Sequence, residues 1–167
     1  MSVMIAEEKA TALLNVCRRR GIMLATAESC TGGLIAASLT DIGGSSDVVD
    51  RGFVTYSNEA KHEMLGVPTE LIEQYGAVSE QVALAMATGA VGHSRAGIAI
   101  SVTGIAGPGG GSEEKPVGLV WFGLAIKGQK TIAALHVFED HGRASIRMAA
   151  VNTALDMAIS ALGTTAA

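Results

Sequence analysis

At 167 residues the chain has the length of a single domain with one core and little room for a second. Hydrophobic residues make up 49% and charged residues 17%, so enough apolar surface is available to offset the entropy of ordering, and wholesale disorder is excluded. Lys and Arg number 12 against 16 Asp and Glu, a net charge of −4, and no basic run exceeds Arg18-Arg19-Arg20; this disfavours a nucleic-acid partner and points to a small molecule.

No apolar run approaches the roughly 20 residues of a bilayer-spanning helix, so no membrane span is expected. Glu7 and Glu8 stand where a signal peptide would carry apolar residues, which makes the cytoplasm the expected location. Cys17 and Cys30 form no C-x-x-C pair and are expected as thiols. His62, His93, His136 and His141 lack the i, i+4 spacing of a helical metal pair, so no metal site is expected.

In chain order, residues 4 to 20 place Ala6, Ala10, Leu13, Leu14 and Cys17 on one face of a helix, with Arg18 to Arg20 at its end and Gly21 as the cap. Ile22 to Thr26 reads as a buried strand, followed by the turn Glu28-Ser29-Cys30-Thr31-Gly32-Gly33 and a helix resuming at Leu34. Asp41 to Asp50 reads as a loop or helical turn and Gly52 to Tyr56 as a second strand. Helices are predicted at Asn58 to Leu65 and Thr69 to Tyr75, with Ser79 as N-cap of an Ala-rich helix ending near His93. Gly97 to Thr103 returns to strand.

The 13 residues from Gly104 to Pro116 include five glycines and two prolines, too irregular for regular structure and longer than most connections in a compact domain. Val117 to Ile126 has the unbroken apolar character of a central strand, and Lys127-Gly128-Gln129 can turn it into an antiparallel neighbour at Thr131 to Phe138. A long helix is predicted from Arg143 to Leu162, with a fraying tail over Gly163 to Ala167. The alternation implies one α/β domain over residues 1–167, a three-layer α/β/α sandwich with a mixed, mostly parallel sheet. The segment Val82 to Val91 can bury itself within the domain or against a second copy, so a homo-oligomer is allowed.

Ser29 sits between a buried strand and a Gly-rich helix start, where its hydroxyl can face a pocket and nearby N–H groups can face an anion, or where it can simply cap the helix. Cys30 is the stronger nucleophile once ionised, but a small thiol beside a helix also suits packing. A serine nucleophile needs a base, and no G-x-S-x-G pattern points to a histidine triad. Lys61, after the Tyr56-Ser57-Asn58 turn at a strand end, can serve if it is desolvated; otherwise it is a solvated surface lysine. The loop from Thr103 and Gly104 through Gly107 and Gly109 can cradle an anion, yet lacks the G-K-[S/T] of a P-loop and a following helix, so ATP and NAD are disfavoured. Arg143 and Arg147, one turn apart, can fork onto phosphate or carboxylate, or form surface salt bridges.

Ala27-Glu28-Ser29-Cys30-Thr31-Gly32-Gly33, Tyr56-Ser57-Asn58-Glu59-Ala60-Lys61, Gly76-Ala77-Val78-Ser79 and Thr103-Gly104-Ile105-Ala106-Gly107-Pro108-Gly109-Gly110 together resemble the CinA C-terminal domain family, in that family's order and over nearly the whole chain. The resemblance implies a stand-alone amidohydrolase that converts nicotinamide mononucleotide to nicotinic acid mononucleotide and ammonia, without metal or organic cofactor. It implies Ser29 as nucleophile, Lys61 as its base and Tyr56 nearby. The Cys30-Thr31-Gly32-Gly33 turn, Thr103, Gly104, Gly107 and Gly109 would line the substrate, and Arg143 would hold the nucleotide. Gly142 departs from the family's pattern, where aspartate is common. A non-catalytic nucleotide-sensing module linked to competence or damage responses, and an amidase or esterase for another anionic substrate, are the alternatives.

Overall fold

A computed structural model describes residues 3–163 of the chain. The elements run α1 (Val3–Arg20), β1 (Leu24–Glu28), α2 (Leu34–Thr40), a 3-10 turn (Ser45–Asp47), β2 (Val49–Val54), α3 (Asn58–Leu65), α4 (Thr69–Tyr75), α5 (Glu80–Gly92), β3 (Ile98–Gly104), β4 (Leu119–Ile126), β5 (Ile132–Val137) and α6 (Arg143–Gly163). The strands form one sheet in the order β2-β1-β3-β4-β5. β1 pairs in parallel with β2 and β3, while β4 pairs antiparallel with β3 and β5, so β4 alone runs against the rest.

Period-two alternation divides the sheet into a large-residue face and a small-residue face. Leu24, Ile98, Ile100, Val102, Val120, Phe122 and Leu124 join Leu13, Leu14, Ile35, Leu39, Val151 and Leu155 in the larger core, under α1, α2 and α6. The opposite face presents Ala25, Ala27 and Ala99 to Leu65, Val82, Met86 and Ala90 of α3 and α5. Helices on both faces make the three-layer sandwich. Small side chains let the α5 backbone descend onto the sheet: Ser101 Oγ donates to the Ala83 carbonyl at 2.6 Å, and a Cβ on Gly123, paired with Ser101, would stand 2.4 Å from that oxygen. Ser79 caps α5 as expected, its Oγ accepting from Val82 N.

The helices expected at Asn58–Leu65 and Thr69–Tyr75 match the observed ones. Strand boundaries differ more. The first strand begins at Leu24 rather than Ile22 and continues through Glu28, because the buried carboxylate of Glu28 is bonded by backbone donors and so does not break the strand. The second begins at Val49 rather than Gly52 and ends at Val54, since the Val48 carbonyl already accepts from Leu24 N. Gly163 ends α6; the rest of the expected tail, 164–167, lies outside the described residues. Among the described residues no helix is long and apolar enough to cross a membrane.

Candidate active site

The carboxyl ends of β1 and β3 open into a crevice beside a reversal in chain course, because α2 leaves β1 on one face of the sheet and α3 to α5 cross on the other. Alternation at the end of β1 sends Glu28 toward α2 and, one residue later, Ser29 toward α3. Ser29 N donates to the Val102 carbonyl and Thr55 N to the Glu28 carbonyl, which fixes the nucleophile turn between its two neighbouring strands.

Lys61 arrives from α3. Ser57 caps this helix, its Oγ accepting from Ala60 N at 3.0 Å, and the cap turns the first helical turn back over the end of β2. Lys61 is 1% exposed, and its Nζ donates to Ser29 Oγ at 2.9 Å and to the Thr55 carbonyl at 2.8 Å, with the Tyr56 carbonyl farther off at 3.5 Å. The solvated-lysine alternative is therefore ruled out. Burial is the cause that brings its pKa down to about 8. A neutral amine has two N–H donors and one lone pair, so with the two carbonyls taking the donors the lone pair is left for the serine proton.

In the sequence Glu28 is only part of the turn, with no role of its own. It is fully buried, and its carboxylate oxygens accept from Ile35 N at 2.8 Å and Ala36 N at 3.0 Å. The α2 N-terminus, expected to face an external anion, is thus filled by the chain's own carboxylate. Thr31, Gly32 and Gly33 do not line the cleft: Thr31 is fully buried, Gly33 packs toward Val54, and the exposed Gly32 faces the Arg147 guanidinium. A charged residue at a strand end just before a Gly-Gly helix start was the available signal.

The cleft, of about 240 Å³, is lined by Ser29 and Cys30, Tyr56, Gly104 to Gly107, Gly109, Gly110 and Arg143. Gly107 has φ +75, and a Cβ there would stand 2.6 Å from Val117, so both backbone conformation and space require glycine. Thr103 is absent from this lining; its hydroxyl donates to the Ala77 carbonyl, tying β3 to the segment before α5. Ile105, Ala106 and Gly110, which carry no chemical signal of a site in the sequence, complete the wall.

Arg143 spans the mouth, its Nη1 donating to the Gly107 carbonyl at 2.7 Å and its Nη2 to the Tyr56 hydroxyl at 3.0 Å. It has no carboxylate partner among the described residues, which leaves its charge available to an anion. Gly142, at φ +102, precedes it, and its N–H donates to Asp140 Oδ1 at 3.1 Å. The thiol of Cys30 is pushed up to about 11, chiefly by burial, which leaves it protonated and a poor nucleophile at neutral pH. A hydroxyl at the cleft with a buried amine behind it is an arrangement suited to nucleophilic acyl transfer.

Comparison with known proteins identifies the family. The family model described as the CinA C-terminal domain matches residues 6–162. A protein of Enterobacter agglomerans named nicotinamide-nucleotide amidohydrolase PncC is 54% identical over 142 residues, 85% of this chain and 86% of that protein. A putative competence-damage inducible protein of Caldicellulosiruptor bescii is 55% identical over 115 residues, 69% of this chain but only 28% of that longer protein. The crystal structure of the competence/damage inducible protein CihA from Agrobacterium tumefaciens superposes with a TM-score of 0.92 at 54% identity, covering 96% of each chain. Given a match over nearly its whole length, the chain belongs to the CinA C-terminal domain family.

Proposed function

We propose that the chain hydrolyses the carboxamide of nicotinamide mononucleotide, giving nicotinic acid mononucleotide and ammonia, with Ser29 as nucleophile and Lys61 as its base. The observation that carries this is the 2.9 Å contact between a buried amine and a hydroxyl that borders the cleft. The name of the Enterobacter agglomerans relative supports the substrate.

Lys61 takes the Ser29 proton as Oγ bonds to the amide carbon, and the oxyanion forms beside backbone N–H groups of the turn. The protonated amine then gives its proton to the leaving nitrogen, the C–N bond breaks and ammonia departs. Water attacks the acyl-serine, Lys61 takes its proton, and the same proton returns to Oγ as the ester bond breaks. Tyr56 and Arg143 stand at the cleft mouth, where the guanidinium meets the substrate phosphate through charge-assisted hydrogen bonds. Binding energy from that end orients the amide, so plain nicotinamide turns over more slowly than its mononucleotide.

The test is ammonia release from nicotinamide mononucleotide by the parent and by Ser29→Ala. Release by the parent alone supports the reading. Equal rates in both remove Ser29 from the mechanism, and tight binding without release by either replaces the hydrolase with a nucleotide-sensing module.

A further inference from the structure

The β5 edge of the sheet is uncovered and unguarded. β5 ends the strand order and pairs with β4 on its inner side. Phe138 N donates to the Gly118 carbonyl at 2.8 Å, in line with the pairing of Val120 with His136 and of Phe122 with Ala134, so the even-numbered residues of β5 turn their backbone groups toward β4. Ala133, Leu135 and Val137 therefore turn theirs outward, where they meet no partner among the described residues. Edge strands are ordinarily blunted by proline, by lysine or another charge, or by a bulge. The segment Ile132–Val137 carries no proline, lysine, arginine or carboxylate, and it follows β4 in unbroken register. It exposes Ile132, Leu135 and Val137 instead, at 48, 46 and 61%.

The ends of the strand indicate what fits this edge. Lys127 and Lys130 precede it and Glu139 and Asp140 follow it, so one end is basic and the other acidic. A second copy running antiparallel brings each basic end to the other's acidic end. Pairing about a two-fold axis perpendicular to the sheet sets residues of the same face opposite one another, and outward-bonding residues opposite outward-bonding ones. With Leu135 on the axis, Leu135 opposes its twin, Ala133 opposes Val137, Ile132 opposes Phe138 and Lys130 opposes Asp140. With Ala134 on the axis, Lys130 would oppose Phe138 and the charges would go unmatched. The Val82 to Val91 segment, the other apolar stretch available for self-association, commits Val82, Met86 and Ala90 to the domain's own core.

We propose that the chain forms a symmetric homodimer by antiparallel pairing of β5 with β5 of a second copy, joining the two five-stranded sheets into one. Leu135 packs on its twin, beside Trp121, its cross-strand neighbour on β4. Because β5 runs in the same direction as β1 and β3, the carboxyl strand ends of the two copies point opposite ways and both clefts stay open.

The test is sedimentation equilibrium of the full chain from about 1 to 100 μM, for the parent, Leu135→Lys, Lys130→Glu, Asp140→Lys and the combined Lys130→Glu/Asp140→Lys, with far-UV circular dichroism checking the fold of each. The parent is a dimer and Leu135→Lys, which sets two like charges face to face on the axis, is a monomer. Each single reversal turns two attractive pairs repulsive and raises the dimer Kd roughly 5- to 30-fold, and the combination brings it back to within about threefold of the parent. Lys130 and Asp140 are exposed and lie outside the strand, so the reversals judge the proposal even where Leu135→Lys fails to fold. A parent that is monomeric throughout overturns it and leaves the edge to a strand of another protein or to none. A dimer that none of these variants weakens also overturns it, as does a combined reversal no tighter than the single ones.

Discussion

Lys61 Nζ and Ser29 Oγ lie 2.9 Å apart across 32 residues of chain, and the same amine holds the Thr55 carbonyl at 2.8 Å, joining the ends of β1 and β2. Because burial brings the Lys61 pKa to about 8, the base is largely charged at pH 7 and is freed as pH rises. We expect kcat/KM for ammonia release to climb tenfold per pH unit below that value and to level off above it. Lys61→Arg, permanently charged, loses roughly 10²- to 10⁴-fold and shows no such limb.

The same shift predicts a stability effect of defined sign. Lys61 has its pKa lowered from the ordinary 10.5 to about 8 on folding, so between those values the unfolded chain binds more protons and stability rises with pH. Cys17 and Cys30, each raised to about 11 by burial, act in the opposite direction above their ordinary 9.0. The difference between parent and Lys61→Met isolates the lysine. The stability of the parent relative to the variant rises by about 2 to 3 kcal/mol between neutral pH and pH 10 in urea denaturation.

Glu28 acts as an internal cap, and its conservative replacement tests that. Glu28→Gln keeps the shape but turns an amide N–H₂ toward one of two backbone donors, which loses one charge-assisted bond in a buried site. We expect about 1 to 3 kcal/mol of destabilisation, measured by urea unfolding, and a lower kcat at temperatures where the variant is fully folded.

Cys30 stands beside the nucleophile and lines the cleft, so its removal discriminates between the two candidate nucleophiles. With its thiol held protonated by burial, Cys30→Ala keeps ammonia release within about threefold of the parent and loses about 1 kcal/mol of stability. Abolished release with binding intact points to the thiol instead.

Local sequence was sufficient for what local physics determines. The spacing of Ala6, Ala10, Leu13, Leu14 and Cys17 marked the buried face of α1, Ser79 marked the start of α5, and the 3.6-residue period marked α6. Strand edges were displaced by two or three residues because a strand ends where its partner's backbone ends, and that partner lies elsewhere in the chain. Ser29, Lys61, Tyr56 and Arg143 were legible as reactive residue types in suggestive turns. Their assembly was not.

Composition, periodicity and turn chemistry by themselves determined an α/β sandwich and a short set of chemically able side chains, since these follow from each residue and its near neighbours. Only the tertiary structure decided that Lys61 is buried against Ser29, that Glu28 fills the α2 N-terminus, that the Thr103 hydroxyl bonds the Ala77 carbonyl before α5, and that Arg147 grips the Cys30 and Thr31 carbonyls. Each of these depends on desolvation and hydrogen bonding between side chains and backbone brought together by the sheet order. A lysine's surroundings, unlike its helix, are not encoded in the residues beside it.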